Sequence, residues 1–336
     1  MIRTIKIALC AMLLCAIGSA QTALNGAGAT FPNPIYSKWF SEYHKTKNSS
    51  VQINYQPIGS GGGIRQVLAG TVDFGASDGP MSDQQLAEYK HGRLLHIPTV
   101  LGAVVPAYNV PGVNASLKFT PEVLAGIFLG QITNWSDPRI THVNPGVNFP
   151  NEPIVVVHRS DGSGTTYIFT DYLSKVSNEW RNSAGKGTSL NWKVGMGGKG
   201  NEGVAGYIRQ IKGSIGYIEL IYALQNNIQY GEVRNASGNF IKASLASTTA
   251  AAAGVKMPAD YRVSITNAPG REAYPIASFT WLLIPQQSRD GNKGRILREF
   301  VQWMATSGQA YAPQLSYAPL PKTVAEKVLA TANTIH

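Results

Sequence analysis

Two glycine-bracketed stretches about 130 residues apart, Gly26-Ala27-Gly28-Ala29-Thr30-Phe31-Pro32 and Arg159-Ser160-Asp161-Gly162-Ser163-Gly164-Thr165-Thr166, constrain this chain most. Each is built mainly of small residues with Ser or Thr hydroxyls, and each runs into a helix start. The second follows Ile154-Val155-Val156-Val157, a β-branched strand, after the single residue His158. Strand, small-residue turn and helix in that order make the repeating unit of an α/β fold, where ligands sit at the carboxyl ends of strands beside helix N-termini.

The rest of the chain carries the same alternation. Ile35, Trp39, Phe40 and Tyr43 predict a helix over 33–45, Val51 to Tyr55 alternates as a strand, helix resumes at 63–68, and 72–76 reads as a short buried strand. A Ser-x-x-Gln capping pattern opens a helix over 82–89. Thr120-Pro121-Glu122 reads as an N-cap with proline in the first turn of a helix that Gly130 ends. Further helices are expected over 165–176, 242–255, 294–307 and 324–332. Two apolar β-rich runs, Ile97 to Tyr108 and Tyr274 to Pro285, are either core strands of one sheet or the exit from and return to a first lobe. In the second case residues 21–101 and 275–336 form lobe I, residues 102–274 an inserted lobe II, and the two runs a hinge.

At 336 residues, 43% hydrophobic and only 14% charged, the chain can bury the core of two domains. Arg3 and Lys6, an apolar run from Ile7 to Ile17, then Gly18, Ser19 and Ala20 have the order of a signal peptide over 1–20 cleaved after Ala20. That run is shorter than the ~20 apolar residues a membrane span requires. A periplasmic product is expected. Both cysteines, Cys10 and Cys15, fall inside this segment, so the mature chain has no thiol for a disulfide or a metal. Leu14 before Cys15 is not the small residue that a lipoprotein signal places there. Removing Arg3 and Lys6 from the 29 basic residues leaves 27 against 19 acidic ones, a balance of +8. The basic residues are scattered singly, which suits a small anion and argues against nucleic acid.

An anion at a helix start meets unpaired N–H groups and the positive end of the helix dipole. Thr30 offers a hydroxyl and, with Phe31, backbone N–H groups; the same stretch also fits a plain strand-to-helix turn. Gly59-Ser60-Gly61-Gly62-Gly63 precedes the next helix, with Ser60 its side-chain donor. Arg159 supplies a guanidinium able to make two parallel bonds to a tetrahedral oxyanion. Asp161 can orient it, and Ser163, Gly164 and Thr165 follow at the helix start. Asp78, before Gly79 and Pro80, is either a turn residue or an acceptor for an anion that carries its own proton, as hydrogen phosphate does and sulfate does not.

Rival chemistries find less support. His44, His91, His96, His142, His158 and His336 show no metal-ligand spacing, and neither Ser60 nor Ser163 lies in a G-x-S-x-G elbow. Gly195-Met196-Gly197-Gly198-Lys199-Gly200 matches the G-x-G-x-x-G dinucleotide pattern but follows no good strand and reads as a loop. A binder with no catalytic residues, no metal and no cofactor is expected.

GAGATFPNPIY, GSGGGIRQ, VDFGASDGPMS, RSDGSGTTYIFTDYL, GGKGNEGVAGYI and GSIGYIE, spread over residues 25–219, resemble the periplasmic phosphate-binding proteins (PstS) of phosphate-specific ABC transporters. The resemblance implies a class II periplasmic-binding-protein fold, with two α/β lobes joined by a two-strand hinge and the ligand cleft between them. It also implies that Thr30, Phe31, Ser60, Asp78, Arg159, Ser163, Gly164 and Thr165 bind dehydrated phosphate. Asp78 would accept the ligand's proton and Asp161 would hold Arg159. The implied partners are inorganic phosphate and the inner-membrane permease subunits, with the chain itself a monomer. Gly61 stands where some relatives carry a serine, and His158 is a departure before Arg159.

Overall fold

The computed structural model describes residues 21–336, so the expected signal segment, its two cysteines and the cleavage point lie outside the described residues. The first five elements are β1 (Thr22–Gly28), α1 (Asn33–Thr46), β2 (Val51–Gln56), α2 (Ser60–Ala69) and β3 (Phe74–Ser77). β1 pairs in parallel with both β2 and β3, so α1 and α2 each begin where a parallel strand ends. The stripe Ile35, Tyr36, Trp39, Phe40 and Tyr43 is the buried face of α1. It meets the later helix Gly291–Met304 through Phe40 and Tyr43, whose rings lie 5.4 and 5.3 Å from that of Phe300.

α3 (Asp83–Glu88) has the expected capping box: the Ser82 hydroxyl accepts from the Gln85 N–H while the Gln85 side chain accepts from the Ser82 N–H. There follow β4 (Leu94–Asn109), β5 (Lys118–Phe119), α4 (Pro121–Phe128) and α5 (Pro138–Thr141). Thr120 caps α4 by accepting from the Val123 N–H, and Gly130, at φ 78°, lets the chain leave that helix. Next come β6 (Val155–Arg159), α6 (Gly164–Val176), α7 (Asn178–Ser183), β7 (Met196–Gly198), α8 (Gly200–Gln210), β8 (Ser214–Glu219) and α9 (Leu220–Gln225). The remaining elements are β9 (Gln229–Tyr230), β10 (Glu232–Arg234), β11 (Phe240–Ile241), α10 (Leu245–Ala251), β12 (Ala277–Pro285), α11 (Gly291–Met304) and α12 (Lys322–Ala332).

Two sequence expectations need correction. The helix expected over 242–255 is confined to α10, because the Ser244 side chain caps it at one end and the chain turns through Gly254, at φ 77°, just beyond the other. The expected loop at 195–200 is instead strand β7 running into helix α8. A strand of Met-Gly-Gly has no alternation to read; its pairing with β6 makes it one.

The main sheet has the order β2-β1-β3-β12-β4-β8-β6-β7, with β9 also against β4. β4 joins its two halves. From Leu94 to Ala103 it pairs antiparallel with β12, and from Val104 to Asn109 antiparallel with β8. The return crossing lies beside it, since the Val104 N–H donates to Ile276 O at 2.9 Å. Two lobes thus grow from one curled sheet, with β4 and the approach to β12 between them. In both lobes the parallel strands end at the same place: β1, β3, β6 and β7 deliver Gly28, Ser77, Arg159 and Gly198 to the region where the lobes meet.

Candidate functional site

Gly28, at φ 151°, packs so tightly on β3 that an added Cβ would lie 2.1 Å from Ala76 O. After it the chain is pinned by its carbonyls. Tyr55 donates its hydroxyl to Ala29 O at 2.7 Å and Tyr317 to Phe31 O at 2.5 Å, while Tyr222 reaches Thr30 O at 2.6 Å. With three successive carbonyls held, the peptide planes are fixed. Among the described residues no protein acceptor takes the N–H groups of Thr30 or Phe31. The same holds for Ser60, at the start of α2, and for Gly164 and Thr165, at the start of α6. Ser163 differs: its N–H donates to Thr188 O at 2.7 Å, so what it offers is its hydroxyl.

Arg159 is buried at the end of β6. Its Nε and Nη2 donate to the two oxygens of Asp161 at 2.8 and 2.5 Å, and its Nη1 donates to Thr165 Oγ1 at 3.2 Å. A guanidinium has five N–H donors, so one remains on each terminal nitrogen. Burial works to raise the Asp161 carboxyl, but the Arg159 hydrogen bonds and charge outweigh it and hold the group below its ordinary range. The expectation that Asp161 holds the arginine matches this geometry.

The hydroxyls of Thr30 and Thr165 are accepting hydrogen bonds on both lone pairs. Thr30 Oγ1 accepts from the Asn201 backbone N–H at 3.2 Å and from its Nδ2 at 2.8 Å. Thr165 Oγ1 accepts from Arg159 Nη1 and from Asn201 Nδ2 at 3.1 Å. A hydroxyl has two acceptor sites and one proton; each threonine therefore has a proton left to donate.

Asp78 is the acceptor among these donors. Oδ1 accepts from the Thr280 hydroxyl at 2.8 Å and Oδ2 lies 3.4 Å from Ser60 Oγ. Burial is the main cause that raises its carboxyl to about 7, against the opposing effects of Thr280, Arg159 and Ser60. The two lobes touch here: the Gly61 N–H donates to Gly162 O at 2.9 Å, and an added Cβ on Gly164 would lie 2.4 Å from Ser60 Oγ. All eight residues read from the motifs therefore gather at one junction between the lobes. Asn201, Tyr222 and Thr280 belong to it as well and were not singled out by the sequence. Asn201 could have been found inside GGKGNEGVAGYI, a family-like motif whose first residues overlap the stretch read as a loop and run into the start of α8.

The chain matches the PBP superfamily domain model over residues 16–307. It is 45% identical to the phosphate-binding protein PstS of Pasteurella multocida over 93% of this chain and 90% of that one. It is 44% identical to the phosphate-binding protein PstS of Haemophilus influenzae, over 91% of each chain. Its fold superposes on that of a high affinity periplasmic phosphate-binding protein, PfluDING, bound with phosphate, with a TM-score of 0.77 at 24% identity over 92% of this chain and 93% of the other. Identity at this level over nearly the full length of both chains, on a two-lobed sheet whose strand ends meet at one junction, makes this chain a member of the PstS family of phosphate-binding proteins.

Proposed function

We propose that the protein binds inorganic phosphate between its lobes in the periplasm and delivers it to the membrane subunits of an ABC importer, without catalysis. The observation that carries this reading is the arrangement of donors around the buried carboxylate of Asp78. Five free N–H groups, the protons of Thr30, Thr165 and Ser163, and two guanidinium N–H bonds come from both lobes, and Asp78 is the acceptor among them. In the proposed complex Thr30, Phe31, Ser60, Arg159, Ser163, Gly164 and Thr165 donate to the phosphate oxygens. Asp78 accepts the ligand's own proton, and Asp161 fixes Arg159. A micromolar complex needs about 8 kcal/mol, which many charge-assisted bonds in a water-excluded site can supply.

The proposed lobes are residues 21–101 with 275–336, and residues 102–274. The change of β4 from β12 to β8 after Ala103, two residues beyond the proposed boundary, supports a division in this part of the strand. Residues 1–20 are proposed as a cleaved signal peptide, on the order of Arg3 and Lys6, the apolar run from Ile7 to Ile17 and the small residues Gly18, Ser19 and Ala20. Among the described residues no helix is long and apolar enough to cross a membrane. The protein is proposed to act as a monomer, with no cofactor, metal or nucleic acid.

Titration calorimetry with phosphate and with sulfate tests the reading. One-to-one phosphate binding at micromolar or tighter affinity, with sulfate far weaker, is expected, and Asp78→Asn should narrow that gap. An unchanged ratio in the variant would remove Asp78 from the discrimination. Turnover of a chromogenic phosphate ester by the unaltered protein would replace binding with catalysis.

A further inference from the structure

The first two N–H groups of α8 are both engaged in the junction. Gly200 N–H donates to Asp161 Oδ1 at 3.0 Å, on the carboxylate that grips Arg159, and Asn201 N–H donates to Thr30 Oγ1 in the other lobe. Gly200 reaches this conformation at φ 70°, and Gly198 packs where an added Cβ would lie 2.6 Å from Val204 N. The glycines of this motif thus place the start of a helix against the two hydroxyl-bearing loops.

The Asn201 side chain is fully buried and uses every polar hydrogen and its carbonyl. Nδ2 donates to Thr30 Oγ1 and to Thr165 Oγ1, one in each lobe, and Oδ1 accepts from the Glu219 N–H at 2.9 Å. Glu219 is the residue of β8 paired with Val104, where β4 passes from one lobe to the other. One amide therefore joins both lobes and the hinge.

We infer that Asn201 is a positioning residue that couples lobe closure to the orientation of the threonine donors; the inference rests on the phosphate reading. In the closed form its amide fills an acceptor site on each hydroxyl, and its N–H and the Arg159 guanidinium fill the others. The two threonine protons are left pointing at the ligand. When the lobes separate, Thr30 loses both Asn201 bonds and its hydroxyl is free to rotate and accept from water. Donor orientation is then a consequence of closure rather than a fixed property of either lobe.

The test is calorimetric phosphate titration of the full chain, Asn201→Ala, Asn201→Asp, and each combined with Thr30→Val and with Thr165→Val. Asn201→Asp keeps the acceptor for Glu219 and decides the matter should Asn201→Ala fail to fold. Both variants should bind phosphate at least about tenfold more weakly. The loss should shrink by about threefold or more in either valine background, because the residue acts through those hydroxyls. Losses that simply multiply across the cycle would show that Asn201 only supports the fold, and unchanged affinity would overturn the inference while leaving the phosphate reading intact. No binding by the unaltered protein would overturn both.

Discussion

Gly164 and Asp78 approach each other across the lobe junction so closely that a Cβ on Gly164 would fall 2.5 Å from Asp78 Oδ2 and 2.6 Å from Asp78 Cβ. Gly164 opens α6, whose conformation any L residue adopts, so its need for a missing side chain comes from the facing lobe alone. Gly164→Ala should fold normally and fail to close. The expected result is a melting temperature within a few degrees of the parent without ligand, together with a loss of phosphate affinity of about 100-fold or more, since overpacking of this kind costs about 1–3 kcal/mol and the N–H donors are displaced as well. Calorimetry beside a thermal melt decides it; parental affinity in the alanine variant would mean that the lobes do not meet here when phosphate is bound.

Asp78 makes the form with joined lobes sensitive to pH in a direction opposite to a salt-bridged carboxylate. Burial raises its native value to about 7 from an ordinary 3.8. The folded state therefore holds the proton more tightly than the unfolded chain, and stability falls as pH rises from about 4 through about 7. Asp78→Asn removes this penalty. Where the lobes stay joined without phosphate, the variant should melt several degrees above the parent at about pH 8, with the gap narrowing toward about pH 4; where they part, Asp78 meets water and the gap should vanish at every pH. A non-zero gap that is constant with pH would show that Asp78 does not titrate in this window.

Much of the junction was legible because its parts are local. Gly-Ser-Gly after a β-branched strand fixes a turn, a helix start and two hydroxyls within a few residues, and Arg159 and Asp161 pair at a separation of two. What holds these parts in register is not local. Asn201 meets Thr30 across 171 positions, Tyr222 meets it across 192, and Thr280 meets Asp78 across 202. No spacing rule reaches that far. The apolar runs around the hinge were visible as strands, yet which of them carries the change of partner depends on the pairing of β4, and the strand Met196–Gly198 has no periodicity of its own to betray it.

Arg159 and Asp161 separate charge from geometry. The guanidinium is almost fully buried and held on two nitrogens by one carboxylate, which leaves the remaining N–H bonds aimed in fixed directions. A lysine keeps the charge but cannot make the paired bonds. Arg159→Lys is expected to weaken phosphate binding by about 100-fold, since hydrogen bonds to charged groups are worth about 1.5–3 kcal/mol each and a lysine cannot restore the fork. Asp161→Asn should weaken it less, because the guanidinium survives and loses only its orientation. If Arg159→Lys binds like the parent, a point charge is sufficient and the fork has no role.

Two tyrosines that hold neighbouring carbonyls should separate ligand affinity from stability. Tyr222 donates to Thr30 O from the far lobe, whereas Tyr317 donates to Phe31 O from within the same lobe and is itself wholly buried. The first bond exists only while the lobes are together. Tyr222→Phe should therefore lower phosphate affinity by about fivefold, the worth of one hydrogen bond, and leave the ligand-free melting temperature nearly unchanged, because the other partner of this hydroxyl, Glu202 Oε1 at 3.0 Å in the same lobe, is exposed and takes water in its place. Tyr317→Phe leaves a buried carbonyl unpaired in open and closed forms alike, so it should lower that melting temperature by an amount equivalent to about 1–3 kcal/mol. The phosphate affinity of the folded Tyr317→Phe fraction should change much less. Thermal melts with and without phosphate, run beside calorimetry on both variants, read the two effects independently. A Tyr222→Phe protein that melts early without ligand would show that the lobes stay joined when empty.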